Sequence, residues 1–118
     1  MENSIQRTLA DDGTATVTVQ GEIDFSNAEE LADSVRDVVA DWSPAIVRID
    51  LRQATFIDST GLGALIEGYR AATEAGARFV VVNPTRSFRR VLTVTGLCDF
   101  FGLGEPEEIA EQTQATGA

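Results

Sequence analysis

Residue types on which many enzymes depend are missing or rare in this chain of 118 residues. It contains no histidine and one cysteine, Cys98, and all nine basic residues are arginine. Without histidine a Ser-His-Asp hydrolase is impossible, and the usual ligands of a zinc site are lacking. A single cysteine also excludes an internal disulfide framework and fits a reducing compartment. We therefore expect no catalytic residue, no metal and no cofactor.

Long apolar runs and surplus positive charge are absent as well. No stretch approaches the ~20 apolar residues of a membrane span, and residues 1–4 open no signal sequence. We therefore expect a cytoplasmic protein that makes no membrane contact. Acidic residues outnumber basic ones by 19 to 9, which gives a net charge of -10. That charge repels nucleic acid and anionic lipid, so a protein with a basic face is the favoured partner.

The apolar periodicity predicts one α/β domain over residues 1–112 and a short flexible tail over 113–118. Residues 5–9 and 14–19 alternate apolar and polar side chains on either side of a turn, which indicates a β-hairpin with one buried face. Helices and strands alternate after the hairpin. Because crossovers through a helix join parallel strands, the prediction is a mixed β-sheet of four to five strands packed with four helices.

Capping and stop signals place the later elements. In chain order we predict a helix behind a Ser26/Glu29 capping box, a strand over 45–51, a helix from about Thr60 to Gly76, a strand over 79–82, a helix over 85–95, a further strand near Phe100 and an acidic helix over 105–112. Three apolar side chains of the third helix should face inward: Phe88, Val91 and Leu92.

The hexapeptide Asp58-Ser59-Thr60-Gly61-Leu62-Gly63 lies where the third strand gives way to the second helix. Asp58 or Ser59 can accept hydrogen bonds from the first N–H groups of that helix, and the glycines let another surface approach. Asp24 follows the second strand, so both groups should meet at the carboxyl edge of the sheet. A phosphate here would suit the helix dipole. It would also add about -1.5 to -2 charges beside Asp58, which opposes docking.

Two other interpretations of the hexapeptide stay open at this point. It could be a helix cap without any regulatory role, since Asp-Ser-Thr-Gly is a common way to begin a helix. Asp58 could also be the acceptor of a receiver-like phosphoaspartate domain. Such domains use a lysine, which this chain lacks.

Four separated motifs occur together in the chain. They are Gly21-Glu22-Ile23-Asp24, then Ile57 with the hexapeptide, then Gly76-Ala77 before a strand, and then residues 88–92 followed by Thr95-Gly96-Leu97. In order and spacing they resemble the STAS domain of bacterial anti-sigma factor antagonists. The resemblance runs from about Ile5 to Glu108.

The resemblance implies a partner-switching module and not an enzyme. A dephosphorylated antagonist of this family binds an anti-sigma factor and thereby frees a sigma factor. The anti-sigma factor is an ATP-dependent serine kinase that phosphorylates the antagonist and ends the complex, and a metal-dependent serine phosphatase resets it. ATP and magnesium would belong to the kinase. The free antagonist is expected to be a monomer.

The resemblance also assigns residues. The family's phosphate acceptor is the first hydroxyl after the aspartate of the motif, which is Ser59 here, with Thr60 as the fallback. The implied partner-binding residues are Asp24, Asp58, Ser59, Thr60, Gly61 and Leu62. The alternative is a STAS module that is not phosphorylated and serves as a scaffold or small-ligand sensor.

Overall fold

The computed structural model describes residues 5–97 and residue 101. They form β1 (Ile5–Leu9), β2 (Thr14–Ile23), α1 (Ala28–Trp42), β3 (Ile46–Ile57), α2 (Ser59–Glu74), β4 (Arg78–Val82) and α3 (Arg86–Thr95). The predicted α/β fold is confirmed with four strands and three helices in the described part. The strand predicted near Phe100, the helix predicted over 105–112 and the tail lie outside the described residues.

The four strands form one mixed sheet in the order β1-β2-β3-β4. β1 is antiparallel to β2, and the β2/β3 and β3/β4 pairs are parallel. Each strand presents alternate side chains to the same face, and on β2 the buried ones are Ala15, Val17, Val19 and Ile23. Burying one such valine contributes about 1.5–3 kcal/mol. This face carries the core, against which α1 and α2 pack.

Gly68 lets α2 pack closely against its neighbours. A Cβ atom at this position would lie 3.1 Å from Cγ2 of Val35 on α1 and 3.3 Å from Cε1 of Phe79 on β4. A larger side chain would therefore separate the two helices or push α2 away from the sheet. The close packing holds α2 against both α1 and the sheet.

β3 extends well past β4 at that edge. The last residue of β4 pairs with Asp50, whereas β3 continues to Ile57, which pairs with Ile23 at the end of β2. α3 follows β4 and lies beside the protruding end of β3. Its first turn is capped by the Thr85 hydroxyl, which accepts a hydrogen bond of 3.1 Å from the N–H of Phe88. We call this end of the sheet, where β2, β3 and β4 finish, the site edge.

Two details of the predicted helices are wrong. The N-cap of α1 is Asn27, which makes no side-chain cap hydrogen bond, and Ser26 instead donates to the Asp24 carboxylate. The Ser26 hydroxyl forms a charge-assisted hydrogen bond with the Asp24 carboxylate, so a turn lies where a capping box was predicted. In α3, Phe88 and Leu92 are buried but Val91 is 42% exposed, because the position of α3 beside the end of β3 leaves Val91 in the groove between them.

Candidate functional site

The hexapeptide opens α2 through the side chain of Asp58. Its Oδ1 atom accepts hydrogen bonds from the N–H groups of Thr60 at 2.9 Å and Gly61 at 3.0 Å, and from the Thr60 hydroxyl at 2.5 Å. The two backbone bonds satisfy N–H groups in the first turn of α2 that have no partner within the helix. The predicted cap of α2 is confirmed, with Asp58 as the capping residue.

A second aspartate organises the turn after β2. The Asp24 carboxylate accepts from the N–H of Ser26 at 2.9 Å and from its hydroxyl at 2.6 Å. Asn27 adds two bonds, since its side chain accepts from the N–H of Asp24 at 2.9 Å and donates to the carbonyl of Glu22 at 2.8 Å. These hydrogen bonds brace the backbone between Glu22 and Asn27, where Glu22, Phe25 and Ser26 are exposed.

The two turns are joined directly. The N–H of Asp58 donates to the carbonyl of Ile23 at 3.1 Å, so the residue just before Asp24 touches the residue just before Ser59. Gly61 makes the contact sterically feasible. A Cβ atom there would lie 2.6 Å from Cγ2 of Ile57, 2.9 Å from Cγ2 of Ile23 and 3.2 Å from the Ile23 carbonyl oxygen. The structure thus brings together Asp24 and the hexapeptide, as the strand order predicts.

The hydroxyls at the site differ in their bonding. Those of Thr60 and Ser26 each donate to an aspartate. The hydroxyl of Ser59 is exposed and makes no hydrogen bond to any residue in the described part of the chain. Ser59 is also the first residue of α2, where the N-terminal end of a helix favours negative charge. Of these three exposed hydroxyls, only that of Ser59 makes no hydrogen bond among the described residues.

Hydrogen bonds stabilise the charged form of the Asp58 carboxylate. The Thr60 hydroxyl, followed by the Gly61 N–H, lowers the pKa of Asp58 below its ordinary value because each donates a hydrogen bond to the ionised oxygen. Asp58 therefore stays negative throughout the neutral range. A partner or a phosphate that approaches Ser59 meets this fixed charge.

Two apolar side chains also lie at the site. Leu62, a predicted contact residue, is only half-exposed and packs partly against the core. Phe25 is 83% exposed and is displayed by the Asp24 turn. Sequence reasoning missed Phe25. The available signal was the repeated spacing of Asp24 with Ser26 and Asp58 with Thr60, which places Phe25 and Ser59 at equivalent positions of two similar turns.

The described residues contain no cluster of three or more histidine, cysteine or acidic side chains that could hold a metal ion. None of the three described helices has the length and apolar character needed to cross a bilayer.

A four-stranded mixed sheet packed with helices, with the Ser59 hydroxyl displayed by one of two neighbouring aspartate turns, defines a small α/β domain with an exposed site at one edge of the sheet. The chain belongs to the STAS domain family, whose model matches residues 7–114. The predicted family is confirmed.

Relatives with assigned roles match over most of their length. The chain is 35% identical over 102 residues to the anti-sigma-F factor antagonist RsfB of Mycobacterium tuberculosis, covering 86% of this chain and 82% of that protein. It is 26% identical over 107 residues to the anti-sigma-B factor antagonist of Listeria monocytogenes, with 91% and 93% covered. These names denote regulatory proteins and not enzymes, in agreement with the prediction that the chain is not an enzyme.

One solved structure is similar to this chain in both sequence and fold. The crystal structure of an anti-sigma factor antagonist from Mycobacterium paratuberculosis superposes with a TM-score of 0.66 and is 36% identical, covering 84% of each chain.

Proposed function

We propose that this protein is an anti-sigma factor antagonist controlled by phosphorylation of Ser59. In the dephosphorylated form it binds an anti-sigma factor, and a sigma factor is released. The anti-sigma factor is a serine kinase that transfers the γ-phosphoryl group of ATP to the Ser59 oxygen, with loss of the hydroxyl proton and departure of ADP. A metal-dependent serine phosphatase removes the phosphate. The relatives named anti-sigma-B and anti-sigma-F factor antagonists support this role.

The observation that carries the choice of acceptor is the different bonding of two adjacent hydroxyls. The Thr60 hydroxyl is held at 2.5 Å from the Asp58 carboxylate, whereas the Ser59 hydroxyl is exposed and free of such a bond among the described residues. Transfer to Thr60 would first have to break the bond that also holds the capping carboxylate of α2. Ser59 can be phosphorylated with no loss of native contacts.

The same geometry supports a switch that acts on binding and leaves folding intact. A phosphate on Ser59 would sit at the N-terminus of α2, where the helix dipole is favourable. It would add about -1.5 to -2 charges next to Asp58 and near the Asp24 turn. A partner that docks on Asp24, Asp58, Ser59 and Thr60 then meets concentrated negative charge and a bulky group. The complex should weaken while the domain stays folded.

Phe25 belongs to the proposed docking surface. The Asp24 turn holds its ring in solvent at the same edge of the sheet as Ser59, and rigid exposed aromatic side chains are frequent anchors of protein interfaces. The surface then combines one apolar anchor with two carboxylates. A basic partner face with an apolar pocket would complement it.

Kinase assays with three proteins test the acceptor. The anti-sigma factor is recovered from native cells by co-purification and mass spectrometry, and is incubated with ATP and each purified protein. Wild type and Thr60→Val should incorporate one phosphate, and Ser59→Ala none. Phosphorylation of Ser59→Ala at the wild-type rate would make the acceptor assignment wrong.

The intact mass of the protein isolated from native cells separates this role from a non-phosphorylated scaffold or small-ligand sensor. A species heavier by one phosphate is expected. Only the unmodified mass across growth and stress conditions would favour the scaffold or sensor role.

A further inference from the structure

α3 carries unpaired positive charge in a strongly acidic protein. Its ten residues include Arg86, Arg89 and Arg90 and no acidic residue, whereas the whole chain has a net charge of -10. Arg7 and Arg36 form ion pairs with carboxylates, but none of the α3 arginines pairs with any residue in the described ranges. Arg86 and Arg90 are exposed and lie one turn apart on the same side of the helix.

Exposed apolar side chains adjoin these arginines. Of the five large apolar residues that are exposed in the described part, three lie here: Phe56 at 54%, Val91 at 42% and Val94 at 79%. Phe56 and Val91 line a groove of about 200 Å³ between the end of β3 and α3. Val94 lies one turn beyond Arg90. We call Phe56, Arg86, Arg90, Val91 and Val94 the α3 surface.

The α3 surface is continuous with the proposed docking surface around Ser59. Ile57 lines the groove and directly precedes Asp58. A partner that covers Ser59 therefore needs to extend by only a few residues to reach Phe56 and Val91. The two halves carry opposite charge, since the first presents Asp24 and Asp58 and the second presents Arg86 and Arg90.

We propose that the α3 surface docks an acidic segment with apolar side chains, contributed by the same anti-sigma factor that binds at Ser59. The inference rests on the proposed function. Carboxylates of the segment meet Arg86 and Arg90, and one or two apolar side chains fill the groove beside Phe56 and Val91. The partner then recognises two patches of opposite sign, which fixes its orientation and excludes partners that are uniformly basic.

An extended polyanion fits this surface less well than a protein segment does. A membrane or a nucleic acid presents negative charge over a wide area, which would also face the carboxylates at the site edge. A protein segment can confine its negative charge to the two arginines and present a basic face to the rest.

Paired variants test the proposal in binding kinetics with the anti-sigma factor. Arg86→Glu/Arg90→Glu should lower the association rate by about tenfold and weaken its dependence on salt, because peripheral charges act mainly on association. Val91→Ser/Val94→Ser should instead raise the dissociation rate by about tenfold, because apolar contacts act after encounter. Both pairs are exposed, so melting temperatures should stay near that of wild type.

The matched control is Arg70→Glu/Arg78→Glu. These arginines are also exposed and form no ion pair with a described residue, but they lie near the end of α2 and at the start of β4, away from the site edge. The control should bind as wild type does. An equal loss of binding in the control would show that net charge, and not the α3 surface, causes the effect, and would overturn the proposal.

The outcomes separate this proposal from the function on which it rests. If wild type binds the anti-sigma factor, Ser59→Asp weakens the complex and the α3 variants bind normally, the α3 surface is not part of the interface. If wild type binds no anti-sigma factor, the proposed function fails and this inference with it. Sedimentation of wild type with phosphatidylglycerol vesicles, lost in Arg86→Glu/Arg90→Glu, would assign the surface to lipid and also overturn the proposal.

Discussion

Two turns at the site edge have the same internal bonding and display different side chains. In Asp24-Phe25-Ser26 and in Asp58-Ser59-Thr60, the aspartate accepts hydrogen bonds from the N–H and the hydroxyl of the residue two positions later. The middle residue is exposed to solvent in both turns. One turn therefore displays an aromatic ring, and the other displays a hydroxyl.

The two turns differ in their distance from the next helix. α2 begins at Ser59 itself, whereas α1 begins at Ala28, three residues after Phe25. The hydroxyl of Ser59 is thus at a helix N-terminus, where a phosphate is tolerated. The Phe25 ring does not lie at a helix N-terminus. The same turn geometry serves an apolar contact in one place and a modifiable group in the other.

Gly61→Ala should have the largest effect on stability, because it forces the two turns apart. The added Cβ would meet the Ile57 and Ile23 side chains and the Ile23 carbonyl at 2.6–3.2 Å, an overpacking that costs about 1–3 kcal/mol. The matched control, Gly63→Ala, meets no atom within 4 Å and should stabilise the helix by about 0.5–1 kcal/mol. Urea unfolding measures both. Equal stability of the two variants would contradict the close contact.

Phe25→Ala should weaken the complex with the anti-sigma factor by about tenfold and leave the melting temperature unchanged, because the ring is exposed in the free protein and buried only by the partner. Leu9→Ala is the control, since Leu9 is also exposed but lies at the opposite end of the sheet. Titration calorimetry gives the affinities. An unchanged affinity of Phe25→Ala for the anti-sigma factor would show that Phe25 is not part of the interface.

Thr60→Val should raise the pKa of Asp58 towards its ordinary value, because the hydroxyl that chiefly lowers this pKa is lost. Thr60→Ser keeps a hydroxyl and should keep the low pKa. NMR of the Asp58 carboxyl carbon during an acid titration measures both. An identical pKa in Thr60→Val and wild type would show that the hydroxyl bond is unimportant in solution.

The lowered pKa of Asp58 also affects stability in acid. The folded-state pKa of Asp58 lies below its unfolded value, so its contribution is fully present above the unfolded pKa and is lost as the pH falls through the folded one. In Thr60→Val the folded-state pKa should move towards the unfolded value, so this contribution should be smaller and its loss should be complete at a higher pH than in wild type. This is the smallest of the expected effects, because the Asp58 carboxylate lies at the protein surface.

Sequence periodicity predicted the element order and the meeting of Asp24 with the hexapeptide. Both result from local patterns and strand topology, since parallel strands end at one edge. The bonding of Ser26 was not predictable in the same way. A serine before a helix can cap it or bond a preceding aspartate, and the choice depends on backbone angles that composition does not determine.

The exposure of Val91 depends on packing between distant segments. β3 continues to Ile57, well past its last pairing with β4 at Asp50, and α3 lies beside this protruding end with Phe88 and Leu92 buried. The helical pattern alone groups Val91 with these residues. Only the position of α3 relative to β3 leaves Val91 at the rim of the groove.

The affinity of Ser59→Asp for the anti-sigma factor, measured alongside its melting temperature, tests most directly whether Ser59 is a binding switch. Ser59→Ala serves as the uncharged control. We expect Ser59→Asp to bind at least about tenfold more weakly than Ser59→Ala, with melting temperatures of both close to wild type. Binding of Ser59→Asp as tight as that of Ser59→Ala, or a parallel loss of binding and stability, would contradict the switch.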